Sequence, residues 1–218
     1  MTTATSLRRL ADSRRWVEEG TLLCARAVDV LADEQYGEPS ALPRWNRAHL
    51  VAHLAANAEA LRNLARWAAT DEVTPMYSSP EQRNADIERG ATRSPAALRT
   101  WFHEAAAALT ADLDRLGDDQ WRARVHTAQG REVPASEVPW LRAREVMVHA
   151  VDLAVGVTFA DLPDDFLTAL EADIHEKRGA GVLGIEGALA DRVGYLAGRT
   201  TAGVTAGGAP APDLPPWL

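Results

Sequence analysis

The sequence has one cysteine, no long apolar run and no excess of basic residues, and each of these absences excludes a class of protein. Cys24 is the only cysteine among 218 residues, which excludes an internal disulfide framework and a cysteine-rich zinc site. No run of about 18 apolar residues is present, so the sequence offers no transmembrane helix. Acidic residues outnumber basic ones by 31 to 23, whereas a phosphate backbone requires a positively charged surface. We therefore expect no nucleic-acid partner and no membrane association.

The N-terminus and the composition indicate a globular protein of the cytoplasm. The first ten residues, MTTATSLRRL, lack the apolar centre of a secretory signal, and the lone cysteine suits a reducing compartment. Hydrophobic residues make up 46% and charged residues 25% of the chain, which is the balance of a folded rather than a disordered protein. A length of 218 residues predicts one domain of ordinary size, or one domain with a small appendage.

The feature that the sequence has in abundance is helical periodicity. Long windows without Gly or Pro carry Leu and Ala at helical spacing, and alternation of apolar with polar residues is scarce. Helices are predicted at about 6–35, 44–68, 95–116 and 135–157, the third with Ser94 as its N-cap and Pro95 at its first position. The predicted connections include a loop at 70–80 and a polar segment at 117–133. Four helices in succession are typical of an up-and-down bundle.

The character of the chain changes after residue 160. One more amphipathic helix is predicted at 161–178, followed by a glycine-rich stretch at 179–184. A short helix at about 186–197 is expected to end at Gly198 in the left-handed conformation. The remainder is rich in Gly, Ala and Pro. The sequence therefore predicts a helical bundle over residues 1–160 and a C-terminal subdomain over 161–218.

Polar residues interrupt the apolar faces of two predicted helices. His53 lies on the stripe of the second helix that faces the core, while Glu145 and His149 are four residues apart on one face of the fourth helix. Unpaired charge is costly in a bundle interior, and a shared metal ion relieves that cost. Two imidazoles and one carboxylate form a three-ligand zinc site whose open fourth position is what catalysis needs. A Glu-x-x-x-His pair alone, however, is common on solvated helices.

Two choices remain open from the residues alone. His49 and His53 are themselves four residues apart, so either or both could be ligands, although we favour a surface or supporting role for His49. Asp152, one turn beyond His149, either orients that histidine through its second ring nitrogen or forms an ordinary ion pair. Cys24 is expected to be a small buried residue rather than a nucleophile.

Several longer segments are distinctive. They are WNRAHLVAH at 45–53, TPMYSSP at 74–80 with Arg83 and Asn84, TAQGR at 127–131 with VPASE at 133–137, and REVMVHAVDL at 144–153. With these segments the chain resembles the mycothiol-dependent maleylpyruvate isomerases, a branch of the DinB-like metal-binding four-helix bundles. The TPMY, TAQGR and VPASE segments indicate the isomerase branch, since the metal pattern belongs to the wider superfamily. The similarity resumes at YLAGR, residues 195–199, and at the terminal PPWL.

The resemblance implies a fold, a set of ligands and a reaction. The fold is mainly α, a DinB-like up-and-down four-helix bundle with a short, reduced C-terminal α(+β) subdomain. The zinc ligands fall on His53, Glu145 and His149, and an arginine required for activity falls on Arg199. The activity implied is cis–trans isomerisation of maleylpyruvate to fumarylpyruvate in gentisate degradation, through a zinc-bound thiolate of the cosubstrate mycothiol. The region between Lys177 and Glu186 is shorter than the family pattern, so the strands of the second domain are expected to be largely absent.

A dicarboxylate substrate requires cations in the pocket despite the net charge of -8. Arg83 and Arg199 are the candidates, with Arg131 and Arg144 as weaker ones. Two other functions fit the same residues: a mycothiol S-transferase acting on another electrophile, and a non-catalytic metal-binding module for interaction or dimerisation. The protein is expected to be a monomer or a homodimer.

Overall fold

The computed structural model describes residues 8–179, 184–215 and 217, and their contacts divide the chain into two units. The first unit is Ser13–Val155, and the second takes the described parts of Met1–Asp12 and Gly156–Leu218. The sequence prediction places the boundary at residues 160 and 161. Within the second unit, Arg8 Nη1 donates a hydrogen bond of 2.9 Å to Asp173 Oδ1 in a buried ion pair, which ties the N-terminal segment to a C-terminal helix.

The first unit is built from helices, which confirms the predicted mainly α bundle. They are α1 (Leu10–Asp29), α2 (Arg47–Thr70), α3 (Pro80–Ala91), α4 (Pro95–Asp114), α5 (Asp118–Arg122) and α6 (Val138–Asp152), of which α1 begins just before the unit does. The four long helices α1, α2, α4 and α6 have 20, 24, 20 and 15 residues. In the core, Trp16 of α1 meets Trp140 of α6 edge to face, with ring centroids 5.7 Å apart. None of the described helices combines the length and the apolar character that crossing a bilayer requires.

Side-chain caps explain where α2, α3 and α4 begin. Asn46 caps α2 by accepting a hydrogen bond from the backbone N–H three residues later. The Ser94-Pro95 pair caps α4 in the predicted way, with serine as N-cap and proline at the first helical position. Ser79 and Pro80 begin α3 by the same device.

The helix α3 is absent from the sequence prediction. Only Ile87 and Gly90 of its twelve residues are buried, so the segment has no apolar stripe. Its contact with α2 is a close one at Gly90, where a Cβ atom would lie 2.9 Å from Cβ of Ala52. Packing against α2, rather than amphipathic periodicity, therefore holds this helix in place.

The segment predicted as a polar connection contains α5 and a β-hairpin. Strands β1 (Arg124–His126) and β2 (Glu132–Pro134) pair antiparallel, with Val125 opposite Val133. The turn between them contains Gly130 at φ 75°, a conformation that glycine adopts without strain. Strands of three residues are too short to show a periodic pattern in the sequence.

Two predicted helices are shorter than expected. α1 ends at Asp29, and residues Asp33–Gly37 form a 3₁₀ helix instead of the continuation that was predicted to residue 35. The predicted start at residue 6 lies outside the described part of the chain. α6 ends at Asp152 rather than at 157, because Ala154 has φ 55° and turns the chain out of the helix.

The described part of the second unit contains two α-helices and a small sheet. They are α7 (Asp164–Arg178), α8 (Leu189–Leu196), β3 (Ile185–Glu186), β4 (Thr205–Ala206) and β5 (Ala209–Pro210), and the sheet is antiparallel in the order β3-β4-β5. The predicted short, reduced α(+β) subdomain is confirmed: its sheet is present, with three strands of only two residues each in the described part of the chain. Gly207 and Gly208, both with positive φ, form the tight turn between β4 and β5.

The helices α2 and α6 run antiparallel and are joined at one end by Arg47. Its Nε donates to Leu153 O at 2.7 Å and its Nη2 to Ala154 O at 3.3 Å, just beyond the last residue of α6. The guanidinium also pairs with Glu38 at 2.6 Å. The first turn of α2 is thereby attached to the last carbonyls of α6, as expected for a cation at a helix C-terminus.

Gly20 lies where α1 closely approaches α6, and a side chain there is expected to destabilise the protein. A Cβ at this position would lie 2.7 Å from Val146 Cγ2 and 2.9 Å from Met147 Cγ. We expect Gly20→Val to lower the free energy of unfolding by about 2 kcal/mol, because overpacking outweighs the gain in helix propensity. Urea denaturation measures the change. Gly37→Ala, whose added Cβ meets no atom within 4 Å, is the control and should change it by less than about 0.5 kcal/mol.

Candidate metal centre

Two helices bring together three side chains of the type that bind metals. α2 supplies His53, and α6 supplies Glu145 and His149. His53 Nε2 lies 2.9 Å and His149 Nε2 lies 3.2 Å from the same oxygen, Glu145 Oε2. One ligand atom from each residue lies within 4.8 Å of the others. Of the candidate residues that the sequence offered, His53, Glu145 and His149 therefore converge on one point inside the bundle.

Burial and direct contact act in opposite directions on the protonation of these groups. Burial would raise the pKa of Glu145, but hydrogen bonds with His149 and His53 hold it well below its ordinary value. Burial would lower the pKa of His149, but hydrogen bonds with Asp152 and Glu145 raise it to about 9. For His53 burial prevails over the contact with Glu145, and its pKa is lowered. At neutral pH the metal-free centre thus holds an ionised Glu145 between a neutral His53 and a protonated His149.

The buried carboxylate of Asp152 orients His149. Its Oδ2 lies 2.8 Å from His149 Nδ1, and the side chain of Asp152 has no exposed surface. A carboxylate on one ring nitrogen directs the lone pair of the other nitrogen toward a metal and strengthens it as a ligand. Of the two alternatives that the sequence left open for Asp152, the geometry is that of the orienting residue.

The donor set fits one divalent cation. Nε2 of His53, Nε2 of His149 and Oε2 of Glu145 face one another in the interior, and His53 and His149 are only 4% and 2% exposed. A cation would satisfy the lone pairs of all three atoms at once, and two histidines with one glutamate are a known ligand set of catalytic zinc.

His49 lies apart from this group. Its Nδ1 is 2.5 Å from Asn46 Oδ1 at the start of α2, and its Nε2 is 3.3 Å from Glu88 Oε2 of α3. Both ring nitrogens are therefore engaged elsewhere. Between the two histidines that the sequence offered, the structure brings His53 to Glu145 and His149.

Arg83 lies at the edge of the centre. Its Nη2 is 3.4 Å from His53 Nδ1, and its Cζ is 5.8 Å from the ring centroid of Tyr77. The ring of Trp45 also packs against His53, with the two ring centroids 5.3 Å apart. α3, which the sequence analysis did not identify, is the helix that carries Arg83 to this position.

The other predicted arginines occupy different places. Arg199 follows Gly198, whose φ of 71° confirms the predicted left-handed helix end, and its Nη1 donates to Ala197 O at 2.7 Å. Arg199 belongs to the second unit, and its role in catalysis stays a prediction. Arg131 is exposed in the hairpin, and Arg144 is buried with its Cζ 6.0 Å from the ring centroid of Trp140.

Arg142 is the residue near the centre that the sequence analysis missed as a functional candidate. It is fully buried on α6, three residues before Glu145, and burial lowers the pKa of its guanidinium to about 10. Its Nη1 donates to Leu54 O at 2.8 Å and to Asn57 Oδ1 at 2.9 Å, both on α2. The available signal was that α6 is apolar on nearly every side around Arg142, which makes an arginine there anomalous.

Cys24 is buried in α1, as predicted, and its thiol is poorly suited to act as a nucleophile. It has no exposed surface, and burial raises the pKa of the thiol to about 12 despite the nearby charge of Arg142. The thiolate population at neutral pH is therefore negligible.

We expect Cys24→Ser to retain most of the activity. The thiol is both buried and protonated, so its loss removes no reacting group. Steady-state turnover should stay within about tenfold of the wild type, which corresponds to roughly 1.4 kcal/mol of barrier. A larger loss in a variant with a wild-type circular dichroism spectrum and melting temperature would contradict this expectation.

Comparison with known proteins places this geometry in a family context. Residues 17–154, which include all three candidate ligands, match the family described as "Mycothiol maleylpyruvate isomerase N-terminal domain". A crystal structure of a mycothiol-dependent maleylpyruvate isomerase is 39% identical to the chain, covers 100% of both chains and superposes with a TM-score of 0.93. The structure of a histidine-to-alanine mutant of such an isomerase has the same identity and coverage, with a TM-score of 0.92.

A more distant structure shows the fold alone. YfiT from Bacillus subtilis, described as a probable metal-dependent hydrolase with an unusual four-helix bundle topology, is 21% identical to the chain. The match covers 66% of this chain and 85% of YfiT, with a TM-score of 0.54. No curated protein matches the chain at a significant level.

Proposed function

Because the chain belongs to the mycothiol-dependent maleylpyruvate isomerase family and is an isomerase by that membership, we propose that it converts maleylpyruvate to fumarylpyruvate with mycothiol as cosubstrate. The observation that supports this most is the convergence of His53, Glu145 and His149 in the segment that matches the family. A centre of this kind serves a reaction that needs an activated thiol.

We propose that His53, Glu145 and His149 hold one zinc ion. The two imidazoles and the carboxylate leave a coordination position open, which distinguishes a catalytic zinc site from a structural one. A zinc ion bound there would lower the pKa of a thiol that enters the open position and keep it as thiolate. Asp152 would hold His149 in the tautomer whose Nε2 is free to bind.

The proposed reaction consists of addition, rotation and elimination. The thiolate of mycothiol adds to one carbon of the cis double bond, and the electron pair of that bond moves into the conjugated carbonyl group as an enolate. The former double bond is now single and rotates. Collapse of the enolate expels the thiolate and restores the double bond in the trans form, so that no atom is gained or lost.

The charges around the centre favour an anionic substrate. The two carboxylates Glu145 and Asp152 are balanced by Arg83, next to His53, and by Arg142, which interacts electrostatically with Glu145. A divalent cation in the centre would therefore leave it positive, although the protein as a whole carries -8. We propose that Arg83 binds a carboxylate of the substrate and that Arg199 stabilises a second carboxylate or the enolate.

A paired assay tests this function. Zinc-loaded protein is mixed with maleylpyruvate, with and without mycothiol, and fumarylpyruvate is followed by chromatography. We expect conversion only with mycothiol, and none with His149→Ala. Stoichiometric consumption of mycothiol without fumarylpyruvate would replace the proposal with an S-transferase. Absence of both reactions in protein that binds no stoichiometric metal would identify a non-catalytic module.

The setting of the reaction is part of the same proposal. Maleylpyruvate as substrate would place the protein in gentisate degradation, and one buried, reduced thiol suits the cytoplasm. A monomer and a homodimer are both compatible with the proposal, and analytical ultracentrifugation distinguishes them.

A further inference from the structure

Arg142 is an anomaly in the packing of the bundle. It is among the largest side chains with less than 2% exposure, and it lies inside α6, where most neighbouring positions are apolar. Its Nη2 is buried and has no hydrogen-bond partner in the described part of the structure. A buried guanidinium with an unsatisfied N–H group costs free energy that an apolar side chain of the same length would not. Overall stability is therefore a poor explanation for an arginine at this position.

The hydrogen bonds of Arg142 lie beside the metal ligands. Nη1 donates to the carbonyl of Leu54, the residue directly after His53, at 2.8 Å, and to Asn57 Oδ1, one turn after His53, at 2.9 Å. Arg142 itself is one turn before Glu145 on α6. The guanidinium thus joins α2 and α6 within one helical turn of His53 and of Glu145.

A second arginine joins the same helices on the far side of the ligands. Arg47 at the start of α2 donates to Leu153 O and Ala154 O, which follow the end of α6. Between these two connections α2 carries His53 and α6 carries Glu145 and His149. We infer that Arg142 is a positioning residue for the metal site, which fixes the spacing between His53 on α2 and the two ligands on α6. This inference rests on the proposed metal site and is independent of the proposed reaction.

The choice of arginine follows from what the position requires. A metal centre with ligands on two helices needs their separation held to a fraction of an ångström, and apolar packing alone permits small axial shifts. Two directed hydrogen bonds from one planar group to a backbone carbonyl and a side-chain amide restrict both the distance and the axial register. Buried polar contacts can provide such specificity of arrangement at the expense of stability.

The test measures zinc binding in the absence of substrate. Apoprotein is titrated with zinc in competition with a chromophoric chelator, and the d–d absorption of the cobalt-substituted protein reports the ligand geometry. Arg142→Met keeps an unbranched, apolar side chain in the core but removes the guanidinium donors, and it should raise the zinc dissociation constant by about 10- to 100-fold, with an altered cobalt spectrum. Asn57→Ala removes one acceptor and should raise it by at least about threefold. The double variant should bind zinc no more weakly than Arg142→Met alone, because Arg142 and Asn57 take part in the same hydrogen bond between the helices.

Leu113→Ala is the matched control. Leu113 is buried in α4, directly after Asp112, which pairs with Arg62 of α2. Arg62 lies more than two helical turns beyond His53 on α2. It should lower the melting temperature through a cavity while leaving the zinc dissociation constant within twofold and the cobalt spectrum unchanged.

Three outcomes would overturn the inference. The first is an unchanged zinc affinity in both Arg142→Met and Asn57→Ala. The second is a loss of zinc affinity in Leu113→Ala as large as that in Arg142→Met, when the two variants have the same melting temperature. The third is an unchanged cobalt spectrum in Arg142→Met. If Arg142→Met does not fold, Asn57→Ala decides alone. If the wild-type protein binds no zinc, the metal site itself is refuted. If the wild type and the Arg142 and Asn57 variants bind zinc with the same dissociation constant, only the positioning role is refuted.

Discussion

Alanine at His149 is expected to abolish both metal binding and isomerase activity. His149 Nε2 faces Glu145 Oε2 at 3.2 Å, and with this nitrogen removed two ligand atoms remain, too few for a tight zinc site. His53→Ala should act in the same way from α2. We expect the zinc content to fall well below one equivalent by elemental analysis, and turnover to fall by at least about 10³-fold, as for loss of an essential catalytic group.

The matched control for this prediction is His49→Ala. His49 lies four residues before His53 on the same helix, but its ring nitrogens contact Asn46 and Glu88. The control should keep one equivalent of zinc and turnover within about threefold of the wild type. Unchanged metal content in His53→Ala or His149→Ala, or loss of metal in His49→Ala, would contradict the assignment of the ligands.

Alanine at Arg199 is expected to lower turnover by about 10²-fold while leaving the metal bound. The reason is the loss of one charge-stabilising donor for an anionic substrate and its developing enolate. Arg199→Lys should restore turnover only in part, since a single ammonium group does not reproduce two parallel donors. Steady-state kinetics give the effect on kcat, and elemental analysis of the same samples gives the zinc content.

Arg131→Ala serves as the control for Arg199. Arg131 is exposed in the hairpin of the first unit, and its replacement should change turnover by less than about twofold. Near-normal turnover of Arg199→Ala would assign that arginine to a structural role, for which its hydrogen bond to Ala197 O already offers a reason. Loss of zinc from Arg199→Ala would also contradict the prediction, because the predicted role acts on the substrate.

The long helices and the shared face of Glu145 and His149 were accessible from sequence because their signals are local. The Ser94-Pro95 start of α4 follows from capping within four residues, and the common face of Glu145 and His149 follows from helical geometry alone. The same holds for Gly198, whose left-handed conformation is a property of a single residue at a helix end.

The elements that escaped prediction depend on neighbours far away in the chain. α3 has only two buried residues, and the three- and two-residue strands are too short for a periodic pattern. The contacts of Arg47 and Arg142 become visible only in the folded chain, because their partners Leu153 and Leu54 lie 106 and 88 residues away in sequence. No window along the sequence contains both partners.

The sequence by itself determined the class of fold, the start of most helices and the placement of Glu145 and His149 on one helical face, because each of these depends on residue types and spacings within one or two turns. Tertiary structure decided which histidine of the 49 and 53 pair faces Glu145, because that depends on the rotation of α2 relative to α6. It also decided that Asp152 orients His149 and that Arg83 lies beside His53, since side-chain directions follow from packing. The physical reason is the range of the interactions: capping and periodicity act along the chain, whereas burial and ligand convergence act across it.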